Sequence, residues 1–502
     1  MVTPNENIMS HPLIIQGGMG AGVSNWRLAR AVSRLGQMGV VSGTALDVIL
    51  ARRLQEGDPE GDMRRALDRF PIPGMAQRAL DLYFVPGGKP ADQSFKPVPL
   101  LSHQPAPELV ELIVLANFAE VFLAKEGHTG LVGINYLQKI QLPTLPSLFG
   151  AMLAGVDYVL MGAGIPMAIP GLLDQLARGQ AARLNLEVEG AEPGEKFFCA
   201  FDPAAFCGTT PPELNRPRFL AIISSTVLAL TLARKASGRV DGFVVEGPTA
   251  GGHNAPPRGA AQLNERGEPV YGPRDVPDLE KIHALGLPFW MAGSYGTPTR
   301  LTEALRSGAA GVQVGTAFAF CDESGIEAGL KAQVLRSVRG GSLEVFTDPV
   351  VSPTGFPFKV ARLDGTLSEP DIYAARERVC DLGYLRRAYR KPEGTPGYRC
   401  PGEPEDHYVA EGGELAETRG RKCVCNGLLS TIGLGQIQPD GYHQPALLTA
   451  GDDVAGLARF LPTNRDSYSA ADVIGHLLGQ SGCGISASSG DQRSSSLPNV
   501  ES

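Results

Sequence analysis

Residues 242–254 read Gly-Phe-Val-Val-Glu-Gly-Pro-Thr-Ala-Gly-Gly-His-Asn, and this stretch organises the interpretation of the whole chain. An apolar run typical of a buried strand ends at Gly247 and continues into a loop with two adjacent glycines. Gly251 and Gly252 lack the Cβ atoms that would keep a ligand away from the backbone, so they predict a close approach. His253 follows at once, and its near-neutral pKa suits proton exchange or partial positive charge beside a reacting atom.

Seven further apolar runs resemble this strand and alternate with helical patterns. They occupy residues 13–20, 40–43, 132–135, 158–162, 219–225, 289–294 and 311–316. Such alternation implies right-handed crossovers and a parallel sheet. Eight units predict an α/β fold, a closed (β/α)₈ TIM barrel over residues 11–325, with an open doubly wound sheet as the alternative. We expect Ser24 to cap the first helix, and Thr297 with Pro298 to begin the seventh.

Two insertions and an extension depart from the strand–helix rhythm. Residues 56–130 and 179–217 read as insertions, and the second predicts a small hairpin from residues 184–188 and 196–201. Residues 326–480 contain no second strand–helix series, so we expect an extension packed on the barrel. The Ser-rich residues 484–502 predict a disordered tail.

Charge and hydropathy exclude several classes of protein. The net charge of −8 argues against nucleic acid as the main partner. No apolar run is long enough to span a bilayer, and the N-terminus lacks the pattern of a signal peptide. These features predict a cytoplasmic protein. The sequence leaves its oligomeric state open.

Two glycine–hydroxyl pairs end the seventh and eighth predicted strands, at Gly293-Ser294 and Gly315-Thr316. In barrels, the loops after these two strands commonly bind a phosphate through backbone N–H groups. The pairs therefore predict a phosphate site, although tight strand-to-helix turns are the alternative.

A flat polar ring would fit beside this phosphate. The first strand ends in Gln16-Gly17-Gly18-Met19, where glycines admit a ring and methionine offers a soft apolar face. Asn135, Ser224 and Glu246 end other strands with polar groups that can bond ring heteroatoms, or can simply satisfy a loop. A phosphate at the rim and a ring at its centre predict FMN as the cofactor.

The glycine motifs of residues 16–19, 250–253, 292–294 and 311–316 together resemble the nitronate monooxygenase family, also called 2-nitropropane dioxygenases. The same motifs are similar to FMN-dependent enoyl reductases of fatty-acid and polyketide synthesis. The resemblance implies that His253 faces the flavin as a base or charge stabiliser, and that Gly293 and Gly315 bind its phosphate. Asn254 and the residues after it depart from the family's usual glycine-containing turn.

The resemblance implies a small-molecule substrate, a nitronate or nitroalkane oxidised with O₂. A carrier-bound acyl substrate reduced with NAD(P)H is the alternative, because long insertions can build a docking face. A third possibility is a flavin-binding subunit whose extension docks a partner enzyme.

Four cysteines of the extension, Cys380, Cys400, Cys423 and Cys425, could bind zinc or an iron–sulfur cluster. The single residue between Cys423 and Cys425 is not a usual ligand spacing. Buried, unligated thiols are the favoured interpretation, and we assign no residue to a metal.

Overall fold

The computed structural model describes residues 11–480, so the predicted tail at residues 484–502 lies outside the described residues. The strands are β1 (Ile14–Gln16), β2 (Gly39–Ser42), β3 (Val132–Leu137), β4 (Tyr158–Gly162), β5 (Ala182–Leu186), β6 (Val188–Glu189), β7 (Phe197–Phe201), β8 (Arg218–Ile223), β9 (Gly242–Glu246), β10 (Phe289–Ala292), β11 (Gly311–Val314), β12 (Glu344–Asp348), β13 (Phe358–Arg362), β14 (Arg387–Arg390) and β15 (Pro396–Arg399).

The α-helices are α1 (Trp26–Arg34), α2 (Leu46–Gln55), α3 (Asp62–Leu67), α4 (Met75–Tyr83), α5 (Pro107–Lys125), α6 (Thr144–Leu153), α7 (Ile169–Ala177), α8 (Pro203–Cys207), α9 (Thr226–Lys235), α10 (Leu279–His283), α11 (Pro298–Arg306), α12 (Thr316–Ala319), α13 (Ala328–Arg339), α14 (Pro370–Ala375), α15 (Glu405–Ala410), α16 (Val424–Thr431) and α17 (Ala470–Leu477). No helix among the described residues is long and apolar enough to cross a membrane.

Eight parallel strands form one sheet in the order β1-β11-β10-β9-β8-β4-β3-β2. The two edge strands meet through residues around Met38, whose N–H donates to the Ile14 carbonyl at 3.1 Å. The N–H of Gln16 donates in turn to the Met38 carbonyl at 2.9 Å. These bonds join the first strand to the second, so the predicted (β/α)₈ barrel is confirmed and the open doubly wound sheet is excluded.

The inside of the barrel is filled by alternate residues of its strands, because successive side chains of a strand point to opposite faces. Ile15, Leu160, Leu220, Val244 and Trp290 are fully buried and form a separate apolar cluster. The intervening residues join a larger core that includes the surrounding helices. This interior cluster blocks the centre of the barrel, so a ligand has room only at one of its ends.

Helix starts near the barrel rim partly follow the prediction. Thr297 caps α11, since its hydroxyl accepts from the Arg300 N–H at 3.3 Å. The expectation that Ser24 caps α1 is wrong: Asn25 is the cap and accepts from the Leu28 N–H at 3.0 Å. The Ser24 hydroxyl lies inside the first loop instead, where it accepts from the Met19 N–H at 2.9 Å.

The insertions and the extension contact each other as well as the barrel. The hairpin predicted in the second insertion is confirmed as antiparallel β5 and β7. Next to it, β6 pairs in parallel with β14 of the extension, and β14 pairs with β15. The extension also contributes the antiparallel pair β12 and β13, and β13 reaches the loop after β9 through a bridge between Phe358 and His253. The extension therefore lies against the rim that carries the glycine-rich loops.

Candidate active site

A cavity of about 230 Å³ lies at the carboxyl ends of the barrel strands. Residues of the extension, including Leu385, Leu429 and Thr449, form its outer wall. Most of the residues predicted from the sequence line it, namely Gly17, Gly18, Met19, Asn135, Glu246, Gly251, Gly252, His253, Gly293, Ser294, Gly315 and Thr316.

Two of the predicted residues do not line this cavity. Gln16 is fully buried behind the first loop, and its side-chain nitrogen donates to the Ser24 hydroxyl at 2.9 Å. Its side-chain oxygen accepts from the Val40 N–H at 3.0 Å, so this amide ties the loop to β2. Ser224 lines a second cavity of about 260 Å³, and Arg258 and Phe356 line this cavity as well. Gln16 thus supports the first loop from its buried side. The first cavity is called the inner cavity below, and the second cavity, which Ser224 lines, is called the outer cavity.

Glu246 and His253 line both cavities, so they stand at the junction between them. This position follows from the sequence, because one residue ends β9 and the other lies in the glycine loop that continues from it. A molecule in the inner cavity and a molecule in the outer one would therefore meet at these two side chains.

Unpaired polar atoms mark one end of the inner cavity. The side-chain oxygens of Asn135 and Gln313 are buried and have no hydrogen-bond partner among the described residues. Buried polar atoms are nearly always bonded, so two such atoms facing one cavity indicate a missing partner. Gly17 and Gly18 lie against these side chains, and a Cβ on Gly18 would collide with Asn135. A flat ring with polar edges fits this end.

The other end of the inner cavity has a backbone that favours a bound phosphate and a carboxylate that opposes one. Gly293 and Ser294 both adopt left-handed backbone conformations, with φ of +94° and +58°, in the loop after β10. The Thr316 hydroxyl, however, accepts from the Gly451 N–H at 2.9 Å, and the Asp453 carboxylate also lies beside Gly451. Burial raises the pKa of Asp453. The backbone of this end suits an anion, whereas an ionised Asp453 would repel one.

Residues of the extension hold the Gly-Gly-His loop on both sides. The Gly252 N–H donates to the Thr449 hydroxyl at 2.7 Å, and the Gly252 carbonyl accepts from the Lys359 N–H at 2.9 Å. His253 Nε2 lies 2.6 Å from the Ser352 hydroxyl, and its ring meets Phe358 edge to face. A Cβ on Gly251 would lie 2.9 Å from the Ala450 carbonyl carbon, which explains the need for glycine there.

The imidazole of His253 is held in its neutral form. Burial, and secondly the nearby charge of Lys139, lower the pKa of His253 well below its ordinary value. Lys139 is itself buried, and burial lowers its pKa to about 7. Its ammonium lies 4.5 Å from the centre of the Phe356 ring and has no hydrogen-bond partner among the described residues. A buried ammonium without a partner is costly, and a nearby anion would compensate its charge.

The sequence interpretation did not identify four functional candidates, namely Lys139, Gln313, Ser352 and Asp453. Gln313 had a usable signal, because it is a polar residue between the two valines of β11, whose neighbours are apolar. Lys139 follows the end of β3 and could have been considered for the same reason. Ser352 and Asp453 lie far along the chain from the loops they contact, so no local pattern indicates them.

A sequence model of the family described as nitronate monooxygenase matches residues 214–343. This segment runs from β8 through both glycine–hydroxyl pairs, and it includes His253. No curated protein matches the chain.

Solved structures resemble the chain at low identity. One is FabK from Thermotoga maritima, at 15% identity over 94% of this chain and 92% of that one, with a TM-score of 0.46. Another is nitroalkane oxidase from Streptomyces ansochromogenes, at 16% identity over 94% and 96%, with a TM-score of 0.43. The enoyl reductase domain of MlnA from Bacillus amyloliquefaciens shares 10% identity over 93% and 92%, with a TM-score of 0.43.

The family match confirms the resemblance to nitronate monooxygenases for residues 214–343, about a quarter of the chain. The chain is a flavin-dependent oxidoreductase.

Glu246 gives the site a measurable pH dependence. Burial raises the pKa of Glu246 to about 7. Because the folded state then holds this proton more tightly than the unfolded state, stability falls as pH rises from about 4.5 to about 7. Glu246→Gln removes that loss. The change that this substitution makes in the free energy of unfolding should therefore be more stabilising at pH 8 than at pH 5, by up to about 3 kcal/mol. Urea unfolding measures this, and exposed Glu213→Gln is the control, with the same effect at both pH values. A Glu246→Gln effect that does not change with pH would contradict the shift.

Proposed function

We propose that this chain is an FMN-dependent nitronate monooxygenase that oxidises alkyl nitronates, and nitroalkanes, with O₂. The observation that carries the proposal is neutral His253 at the junction of the two cavities, with the unpartnered ammonium of Lys139 close by behind the Phe356 ring of the outer cavity. The inner cavity has the character of a ring site, and the outer cavity leaves room for a small anion beside it.

The inner cavity would hold the flavin through residues of several strands. The Asn135 and Gln313 side chains would bond the polar edge of the ring, while Gly17, Gly18 and Met19 would lie along it. The loops at Gly293 and Gly315 would direct backbone N–H groups at the phosphate. When bound, the flavin supplies the redox chemistry, because it takes electrons from the substrate and gives them to O₂.

The substrate would bind in the outer cavity with its nitro oxygens toward Lys139. A nitronate is an anion, and a buried ammonium without a partner gains more from an anion than a solvated one does. The Phe356 ring, which lines that cavity and contacts Lys139, would shield the pair from water. The lysine rather than the histidine therefore supplies the positive charge.

His253 would act as the base for neutral nitroalkanes. Its lowered pKa keeps the imidazole neutral near pH 7; with Nε2–H donating to Ser352, the unprotonated Nδ1 would take the proton from the carbon next to the nitro group. The Ser352 hydroxyl at 2.6 Å would fix the ring, and Phe358 would hold its plane. A preformed nitronate has already lost this proton and needs His253 only for positioning.

We further propose that residues 11–325 are the catalytic barrel and that residues 326–480 cover its rim. Ser352, Lys359 and Thr449 support this role, because each bonds the Gly-Gly-His loop. By excluding water, such a cover would strengthen the interaction between a lysine and a bound anion.

An FMN-dependent enoyl reductase acting on a carrier-bound acyl group is the alternative. The purified protein distinguishes the two when it is mixed anaerobically with propyl-2-nitronate and, separately, with NADPH. We expect the nitronate to bleach the flavin absorbance and NADPH to leave it unchanged. Bleaching by NADPH, followed by recovery with an enoyl thioester, would establish the reductase instead.

His253→Asn should keep the flavin and lose the proton-transfer step, because asparagine cannot accept a proton. We expect the kcat for a neutral nitroalkane to fall by roughly 10²- to 10⁴-fold, with a much smaller loss for the preformed nitronate. Oxygen consumption measures both rates, and exposed His443→Asn is the matched control. Equal losses with both substrates would contradict a role as base.

Lys139→Met should weaken the binding of the anionic substrate and change that of the neutral one little. We expect at least a tenfold rise in the KM for the nitronate, about 1.4 kcal/mol of lost binding. Because the pKa of Lys139 is about 7, wild-type KM for the nitronate should rise as pH increases through 7, and the variant's should stay level. Exposed Lys281→Met is the control. The assignment fails if both substrates respond alike.

Asp453→Asn should tighten the binding of FMN and leave that of riboflavin unchanged, since only FMN carries a phosphate. Removing one carboxylate near the phosphate is worth on the order of 1 kcal/mol, or about fivefold in Kd. Quenching of flavin fluorescence on titration measures both constants, and exposed Asp466→Asn is the control. An equal change for the two flavins would separate Asp453 from the phosphate.

A further inference from the structure

The outer cavity opens onto an apolar part of the protein surface. Ile165 lines this cavity and is also 57% exposed to solvent. Three other exposed residues, Val227, Val270 and Val276, each directly adjoin along the chain a residue that lines the cavity. Those lining residues are Leu228, Tyr271 and Asp275. Ile165, Val227, Val270 and Val276 are called the apolar mouth below.

Hydrogen bonds between loops hold the segments of the apolar mouth in place. The Asp278 N–H donates to the Thr226 hydroxyl at 2.7 Å, which joins the segment after Val276 to the start of α9. The Tyr271 hydroxyl donates to the Ala255 carbonyl at 3.0 Å. Single exposed apolar side chains are common on proteins, but several around one opening indicate a surface that binds an apolar group.

The polar side chains at this opening already have partners within the protein. The Arg258 guanidinium donates to the carbonyls of Arg274 at 2.8 Å and Ser224 at 3.3 Å. The Asp275 carboxylate accepts from the backbone N–H groups of Arg258 at 2.9 Å and Gly272 at 2.8 Å. A ligand that passes these groups therefore gains mainly from contact with apolar side chains.

Apolar side chains continue from the mouth to the reacting end of the cavity. Ile222 lines both cavities, as His253 does, so it stands at their junction. Leu228 lines the outer cavity, and Ile165 lines it where it reaches the surface. A molecule whose reacting carbon lies at His253 can therefore extend its other end past Ile222 and Leu228 to the surface at Ile165.

We propose that the outer cavity and the apolar mouth bind the straight alkyl chain of the substrate, and that this chain is longer than that of nitropropane. The inference rests on the proposed function for the reacting nitro group, whereas the alkyl chain is argued from the cavity and its opening. A chain that leaves the cavity at Ile165 would cover exposed side chains of the mouth, so each further methylene adds apolar contact. The continuity between cavity and mouth favours such a chain over a second protein, which would cover the mouth without entering the cavity.

Straight-chain carboxylates test this site without turnover, because a carboxylate resembles a nitronate in shape and charge but is not oxidised. Equilibrium dialysis of the full-length protein with its flavin measures the Kd of labelled decanoate. Competition with this label gives the Kd values of octanoate, hexanoate and butanoate. We expect one decanoate per chain, and a Kd that falls roughly two- to fourfold with each added methylene.

The valines of the mouth provide variants that leave the core intact. Val227→Ser combined with Val276→Ser should raise the Kd of decanoate by roughly threefold or more. The Kd of butanoate should not change, because a short chain ends inside the cavity. Val350→Ser combined with Val409→Ser is the matched control, since both valines are 46% exposed and neither lines the outer cavity. Both Kd values should stay level in the control.

Turnover gives a second measurement of the same dependence. The nitronates of nitroethane, 1-nitrobutane and 1-nitrooctane are compared by oxygen consumption, and their KM values should fall in that order. If the carboxylates show the dependence on chain length but no nitronate is oxidised, the proposed reaction fails and the alkyl-chain site stands. The two failures are thereby distinguished.

Three results would overturn the alkyl-chain site. The first is an equal Kd for butanoate and decanoate. The second is an equal loss of decanoate affinity in the mouth variant and in the control. The third is a wild-type protein that binds no decanoate and self-associates, while the mouth variant stays monomeric in sedimentation. That result would assign the apolar mouth to a contact between two copies of the chain.

Discussion

The pairing of the Gly-Gly-His loop with the extension is the contact on which the site depends. Backbone hydrogen bonds join Gly252 to Lys359 and Asn254 to Pro357, both at 2.9 Å, so the loop behaves as an added strand beside β13. Lys359 is buried and its ammonium bonds Thr347 at 2.7 Å and Asp452 at 2.6 Å, which fixes β13 in turn. A glycine loop on a bare barrel rim would have many conformations, whereas this pairing leaves one.

Burial shifts the pKa values of the three titratable groups near that loop in different directions. It favours the neutral form of each, so the pKa of Glu246 rises while the pKa values of His253 and Lys139 fall. As a result, Glu246 and Lys139 change charge near neutral pH, while His253 stays a neutral proton acceptor in the same site. This arrangement is typical of catalytic sites, where groups must exchange protons under working conditions.

The extension also changes the end of the cavity where the sequence predicts a phosphate. Residues 449–453 cross the loops after β10 and β11, and they bring Asp453 to Thr316. In a barrel without this segment, the Thr316 hydroxyl would be free for a phosphate oxygen. Here, its oxygen accepts from the Gly451 N–H, and the nearby Asp453 carboxylate can accept its proton. The same segment therefore completes the cavity wall and places a carboxylate that competes for the proton of one predicted donor.

The sequence by itself determined the barrel, its eight strands and the rim loops, because hydrophobic periodicity and glycine placement are local properties. It also identified the Gly-Gly-His loop and the polar ends at Asn135 and Glu246, since all parallel strands direct their carboxyl ends to one rim. Only the tertiary structure brought Ser352, Thr449 and Asp453 to that rim, and only it showed Gln16 and Ser24 bonding each other behind the first loop. These contacts join residues far apart along the chain or depend on side-chain direction. Neither kind of contact leaves a periodic signal in the sequence, so the packing of the folded chain decides both.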